Sequence, residues 1–207
     1  MNLILNFLVI VATVLGSGMA LPQARRIVRT RRVDGVSATW IGVSAALNGW
    51  WVAYALATSL WALVAVSIAS LLLYSVMAAA YVASTGRTGL GGLALGAFGL
   101  GMIPLPFLVA GGWTVAGVVI GLSYGIQLLP AVIAACRTSA LAGVSGVTWA
   151  IAWVESVIWL LYGFAIGDAA LLLAGVVGVA MSSVIIGRLV VTGHVGSRWT
   201  IARSSLA

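Results

Sequence analysis

Apolar residues in this chain fall into long runs broken by short polar stretches. Seven runs can be drawn, at about 3–23, 36–57, 60–83, 90–110, 113–136, 144–166 and 169–191. A strand of a membrane barrel would alternate apolar and polar positions over about 10 residues. These runs are about twice as long and do not alternate, so they predict helices. At about 1.5 Å of rise per residue, each is long enough to cross a hydrocarbon core ~30 Å thick. The breaks at Thr58-Ser59, Gly111-Gly112 and Gly167-Asp168 are very short, which predicts antiparallel hairpins there. The fourth run is the weakest, being rich in glycine and carrying Pro104 and Pro106.

Composition turns these helices into membrane helices. Of 207 residues, 63% are hydrophobic and only 6% are Asp, Glu, Lys or Arg, with a mean hydropathy of +1.21. A soluble domain carries about 25% charged residues. So few charges cannot cover a water-facing surface, and in lipid every backbone polar group must be paired within the chain. The expectation is an all-α integral membrane protein with seven transmembrane helices.

The net charge of +7 would suit nucleic acid, but its distribution argues against that partner. All ten basic residues are arginines, and all fall in one alternate set of loops. Arg25, Arg26, Arg29, Arg31 and Arg32 lie between the first two runs, Arg87 between the third and fourth, and Arg137 between the fifth and sixth. Arg188, Arg198 and Arg203 flank or follow the seventh. By the positive-inside rule this places the amino terminus outside and the carboxyl terminus in the cytoplasm, with the arginine loop touching anionic lipid. The first twenty residues lack the basic start of a secretory signal, so they are read as a retained helix. The single cysteine, Cys136, leaves no internal disulfide to form.

The chain also repeats itself. At a constant offset of 108, Pro22 matches Pro130, Arg29-Thr30 matches Arg137-Thr138, and Gly35-Val36-Ser37 matches Gly143-Val144-Ser145. Trp51 matches Trp159 and Tyr54 matches Tyr162, with no gap anywhere. The offset covers four runs, and an even number of crossings returns the chain to the same side. The copies should therefore be parallel, as two three-helix bundles about an axis along the membrane normal, joined by one linking helix. The expected divisions are 1–86 for the first bundle, 87–111 for the linking helix, 112–192 for the second bundle and 193–207 for a cytoplasmic tail.

Leu21-Pro22-Gln23, followed by a basic loop and Gly35-Val36-Ser37, resembles the PQ-loop motif. Trp51 with Tyr54, and Trp159 with Tyr162-Gly163, resemble the second-helix pattern of the SWEET and SemiSWEET sugar transporters. The three-one-three layout is similar to SWEETs as well, a standard example of parallel repeats. The second copy departs by reading Pro130-Ala131, without the glutamine. The asparagine that the family carries on the third helix of each bundle is replaced by Ser67 and Gly175. The resemblance implies alternating access, facilitated diffusion without ATP, and a sugar-like solute, in a multi-pass protein of the plasma membrane. One chain supplies both bundles, so a monomer suffices, with a homo-oligomer left open as the alternative.

Pro22 and Pro130 are hinge candidates, because proline inside a helix removes a hydrogen bond and clashes with the preceding turn. The alternative is a static kink. Gln23 and Gln127 would fasten helices or satisfy carbonyls freed by proline. Trp51 and Trp159 lie a turn or more from the outer helix ends, unlike Trp61, Trp113 and Trp199, which read as interfacial anchors. A large ring facing a cavity can stack on a solute while polar neighbours orient it. The alternative is a packing residue between helices. Helical spacing puts Asn48 and Ser44 on the face of Trp51, and Ser156 on that of Trp159. Asn48 is expected either to contact solute or to bond a neighbouring helix. Ser67, Gly175 and Tyr124 complete the candidate substrate site.

Glu155 is the one acidic residue inside a predicted span, and its counterpart is Leu47. An intramembrane carboxyl is a functional candidate by default. It reads either as a proton-coupling site or as a structural hydrogen-bond donor. Nothing points to an enzyme, a metal or a cofactor: His194 is the lone histidine, and the glycines of Gly86–Gly101 suit close helix packing. Two further expectations stand beside the uniporter. One is a proton-coupled PQ-loop transporter of amino acids or other metabolites, and the other is a membrane receptor or scaffold that binds without moving its ligand.

Overall fold

In a computed structural model of the chain, the described residues are 3–19, 21–31, 33, 36–137, 141, 144 and 146–193. Every regular element among them is helical. The order is α1 Leu3–Met19, α2 Leu21–Thr30, α3 Ala38–Ala57, α4 Trp61–Thr85, a short α5 Leu90–Ala94, α6 Pro104–Arg137, α7 Gly146–Ile166 and α8 Ala169–Val191. Three helical stretches, Trp61–Arg137, Gly146–Ile166 and Ala169–Val191, are long and apolar enough to cross a membrane. Outward faces are apolar at helical spacing: Phe7, Ile10 and Val14 on α1, and Ile68, Leu72 and Val76 on α4, are exposed. Water would not tolerate such a surface, whereas lipid covers it without cost. The chain is an all-α protein suited to a membrane.

The duplication extends to turn geometry. Ser59 and Gly167, which are 108 apart, both take left-handed backbone, with φ of 58° and 71°. Leu60 N–H donates to the Ala55 carbonyl at 2.8 Å, and Asp168 N–H to that of Gly163 at 2.9 Å. Val36 N–H bonds the Val33 carbonyl as Val144 N–H bonds that of Leu141, each at 2.9 Å. Side chains then adjust the helix starts. Ser37 caps α3 by accepting from Trp40 N–H at 3.2 Å, and Asp168 caps α8 by accepting from Leu171 N–H at 2.9 Å.

Two expectations are modified. The arginine-rich stretch after the first run is helical in α2 rather than a loop, because its residues divide between two faces. Ala24 and Ile27 are buried against Met77 and Ala80 of α4, while Arg25 and Arg29 are exposed. Pro22 consequently falls in the first turn of α2, where its missing N–H costs little. Pro130, in contrast, lies inside α6. The expected fourth helix is broken into 3₁₀ turns at Gly86–Gly89 and Leu100–Met102, α5, and a π turn at Leu95–Gly99. This irregular segment packs on α3. A Cβ at Gly96 would strike the Thr39 carbonyl, and one at Gly42 the Leu93 carbonyl, so the backbones nearly touch. Trp50 Nε1 donates to the Gly101 carbonyl at 2.9 Å and fastens the segment to α3. After Pro104 the helix runs to Arg137 with one interruption, at Gly112.

Within the first copy α4 packs against both α1 and α3, and within the second α8 packs against both α6 and α7. Between copies, α1 meets α7 and α3 meets α6. One end of the molecule carries the hairpin turns at 58–60 and 166–168. The other carries the described arginines: Arg25, Arg29, Arg31, Arg87, Arg137 and Arg188. The core differs between these ends. At the hairpin end a single cluster joins the two copies, holding Val9, Tyr54, Leu63, Ile120, Trp159, Tyr162 and Leu171. At the arginine end there are two clusters. Ile27, Ile41, Tyr74 and Met77 belong to the first copy, and Ala135, Leu141, Ile185 and Leu189 to the second.

Candidate solute chamber

A cavity of about 120 Å³ lies between the copies. Its lining follows the duplication: Gly16 and Tyr124, Asn48 and Ser156, Trp51 and Trp159, Leu63 and Leu171, Val66 and Ala174, and Ser67 and Gly175 are all pairs 108 apart. The chamber is therefore built by equivalent positions of both copies. Ser70, Tyr74, Gln127 and Glu155 complete it. Of the residues named from sequence as substrate-binding, Ser44 alone is outside this lining. It is fully buried.

The two tryptophans keep matched settings. Trp51 stands edge-on to Tyr54 at 6.0 Å and 83°, and Trp159 edge-on to Tyr162 at 6.1 Å and 80°. Such edge-to-face pairs hold a ring in one orientation. The Trp159 indole N–H donates to Glu155 Oε1 at 3.2 Å, one helical turn earlier. The same carboxylate oxygen lies where a Cβ on Gly16 would be, so the absence of a side chain on α1 makes room for it.

Asn48 bonds its own helix rather than a neighbouring one. Its Nδ2 donates to the carbonyl of Ser44, on its own helix, at 2.8 Å. That bond satisfies one amide hydrogen locally, and the residue still lines the chamber. Gln127 Nε2 donates to Tyr74 Oη at 3.1 Å and joins α6 to α4 across the copies. Tyr74 is in turn held edge-on by Trp40 at 5.4 Å. Gly178 packs against Ser156, and Gly175 against the Leu160 backbone, which lets α8 lie close on α7.

The hairpin end is closed by a direct link between copies. Tyr54 Oη donates to Asp168 Oδ2 at 2.7 Å. Trp113 packs beside it, 6.4 Å from Tyr54 and 6.5 Å from Trp50. Tyr162, the counterpart of Tyr54, lines a second cavity with Thr58, Ser59, Leu60, Gly167 and Asp168. Each of these tyrosines thus faces the turn of the opposite copy. Sequence reasoning had the Tyr54–Tyr162 match but gave it no role. The signal for Asp168 was its position after Gly167 and three residues before the Leu171 N–H it caps.

The side chains of Pro22 and Gln23 lie outside the described residues, and Pro130 is exposed on α6. Among the described residues, no three of His, Cys, Asp and Glu come together as a metal ion would require. No protein-family model and no curated protein matches the chain.

Proposed function

We propose that the protein is a membrane transporter that carries a small polar solute by alternating access, resembling SWEETs. In this reading the chain crosses the bilayer seven times, as two parallel three-helix bundles and a linking helix formed by the irregular segment and the start of α6. The observation that carries it is the division of the core. The copies share one core at the hairpin end and have separate cores at the arginine end, with the chamber between. That is the packing expected of a carrier closed to one side and ready to part on the other. By the positive-inside rule the parting side would face the cytoplasm, with α2 against anionic lipid, and the reading puts the protein in the plasma membrane.

The chamber, at about 120 Å³, is well below the ~300–1,000 Å³ of drug-sized sites. It suits a solute no larger than a monosaccharide, and the sugar implied by the resemblance falls within that bound. The presence of Glu155 in the chamber wall favours a second reading, coupling of transport to protons through its carboxyl.

Reconstitution into liposomes is the test. A uniporter gives flux of a radiolabelled hexose or amino acid without a pH gradient, and a coupled carrier responds to the gradient. Binding to the purified protein with no flux in either condition makes the protein a receptor or scaffold and rejects transport.

A further inference from the structure

We propose that the solute is a small organic cation, an ammonium compound seated against Glu155 and walled by aromatic rings. This rests on the chamber being the transport site. The chain has three acidic residues, of which Asp34 lies outside the described residues. Both of the others are on the pathway: Glu155 lines the chamber and Asp168 the cavity at the hairpin end. No arginine lines either cavity. A solute passing from one end of the shared core to the other meets carboxylates and no positive side chain.

Glu155 is buried, and no basic side chain lines the chamber with it. Lining the chamber with it are Gly16 of α1, Val66 and Tyr74 of α4, Tyr124 of α6 and Ala174 of α8, and none carries a positive charge. Its hydrogen-bond partner is the Trp159 indole, which orients the carboxyl without neutralising it. Buried charges are retained where something pairs with them. No chamber residue supplies that partner, which leaves a proton or a cationic solute to match the carboxyl. Trp51, Trp159, Tyr74 and Tyr124 surround the same space, and aromatic walls of this kind recognise ammonium groups through their ring faces. Asn48, Ser67 and Ser156 add polar groups for a hydroxyl on the solute. A neutral sugar would use the amide, the hydroxyls and the rings, but would leave the carboxylate unpaired.

Cations and their neutral carbon isosteres separate these cases. Binding of choline and 3,3-dimethylbutan-1-ol, and of ethanolamine and propan-1-ol, is measured by calorimetry on the full chain in detergent, with glucose alongside. At least one cation should bind tenfold or more tightly than its isostere. Glu155→Gln should abolish that preference and Glu155→Asp should retain part of it, while Phe164→Leu, on the exposed surface and outside both cavities, should leave it unchanged. Lowering the pH should weaken cation binding, because a proton competes for the carboxylate. If Glu155→Gln fails to fold, the wild-type cation-to-isostere ratio still decides. Equal binding within both pairs, or no binding of either cation, overturns the proposal. Glucose flux in liposomes together with that result would leave the transport reading standing. Absence of flux for every probe would remove the transport reading as well.

Discussion

The hydrogen bond from Tyr54 to Asp168 is the one polar link that joins the two hairpin turns among the described residues, and Tyr54→Phe deletes it alone. The ring remains, so packing against Trp51 at 6.0 Å and Trp113 at 6.4 Å is kept. Asp168 also keeps its second task, because its other oxygen caps α8 through the Leu171 N–H. What is lost is a short charge-assisted bond at 2.7 Å. Hydrogen bonds to charged groups contribute about 1.5–3 kcal/mol. Asp168 is partly exposed, so water will recover some of that loss, leaving about 1–1.5 kcal/mol. Since about 1.4 kcal/mol is a factor of ten, the equilibrium should shift roughly five- to tenfold away from closure at the hairpin end.

Thiol accessibility reads that shift. Cys136 is the only cysteine, and Cys136→Ser gives a clean background in which Ser67→Cys places one thiol on the chamber wall. A membrane-impermeant maleimide added from the hairpin side should label it roughly five- to tenfold faster with Tyr54→Phe than without it. The double change with Asp168→Asn should add little to the single one, since both remove the same bond. A labelling rate altered less than twofold would show that the bond does not hold the hairpin end shut.

Three further substitutions probe other parts of the argument. Gly16→Ala should push the Glu155 carboxyl out of position, weakening solute binding by roughly 1–3 kcal/mol in calorimetry while the melting temperature changes little. Gly96→Val forces a side chain into the backbone of α3, which cannot yield as a flexible side chain can. A fall in Tm of roughly 5 °C by thermal unfolding is expected, and an unchanged Tm would mean that the irregular segment does not pack tightly there. Pro130→Ala restores a helical hydrogen bond inside α6 and should slow liposome flux several-fold with binding intact. Rates unchanged from the unsubstituted protein in both Pro130→Ala and Pro22→Ala would reject both hinges.

The parts of the fold that were legible in the sequence are those set by backbone demands. The helices α3, α4, α7 and α8 sit where the apolar runs placed them, because a long apolar run suited to lipid must pair its backbone groups within itself. The turns at Ser59 and Gly167 were legible as breaks, though serine at the first gives no hint of its left-handed conformation. The segment from Gly86 to Met102 was not legible. Its glycines satisfy a hydropathy pattern, but they leave the backbone free to follow close contact with α3 rather than helical propensity. The chamber was legible where both copies share a residue type, as at Trp51 and Trp159. Tyr74 escaped notice because its counterpart is Ser182, and the match that would have drawn attention to it is absent.

That asymmetry bears on mechanism. The duplication preserves what builds the chamber: helix register, hairpin geometry and the paired tryptophans. It does not preserve charge. Glu155 stands opposite Leu47, and Asp168 opposite Leu60. Both carboxylates on the pathway thus come from the second copy. A symmetric pair of glutamates would put two like charges in one small cavity and raise the energy of both. A single one can be matched by a single opposite charge or proton. On the proposed transport reading the second copy sets what is recognised, while the first supplies the space for it, most directly through Gly16, whose bare backbone admits the carboxyl where its counterpart Tyr124 would not. On this argument, moving the acid to the first copy, as Leu47→Glu with Glu155→Leu, should not restore binding, because the new carboxyl would have no glycine opposite it. Recovery of solute binding in that swapped protein would mean that the two copies are interchangeable, and that the division of labour between them is not real.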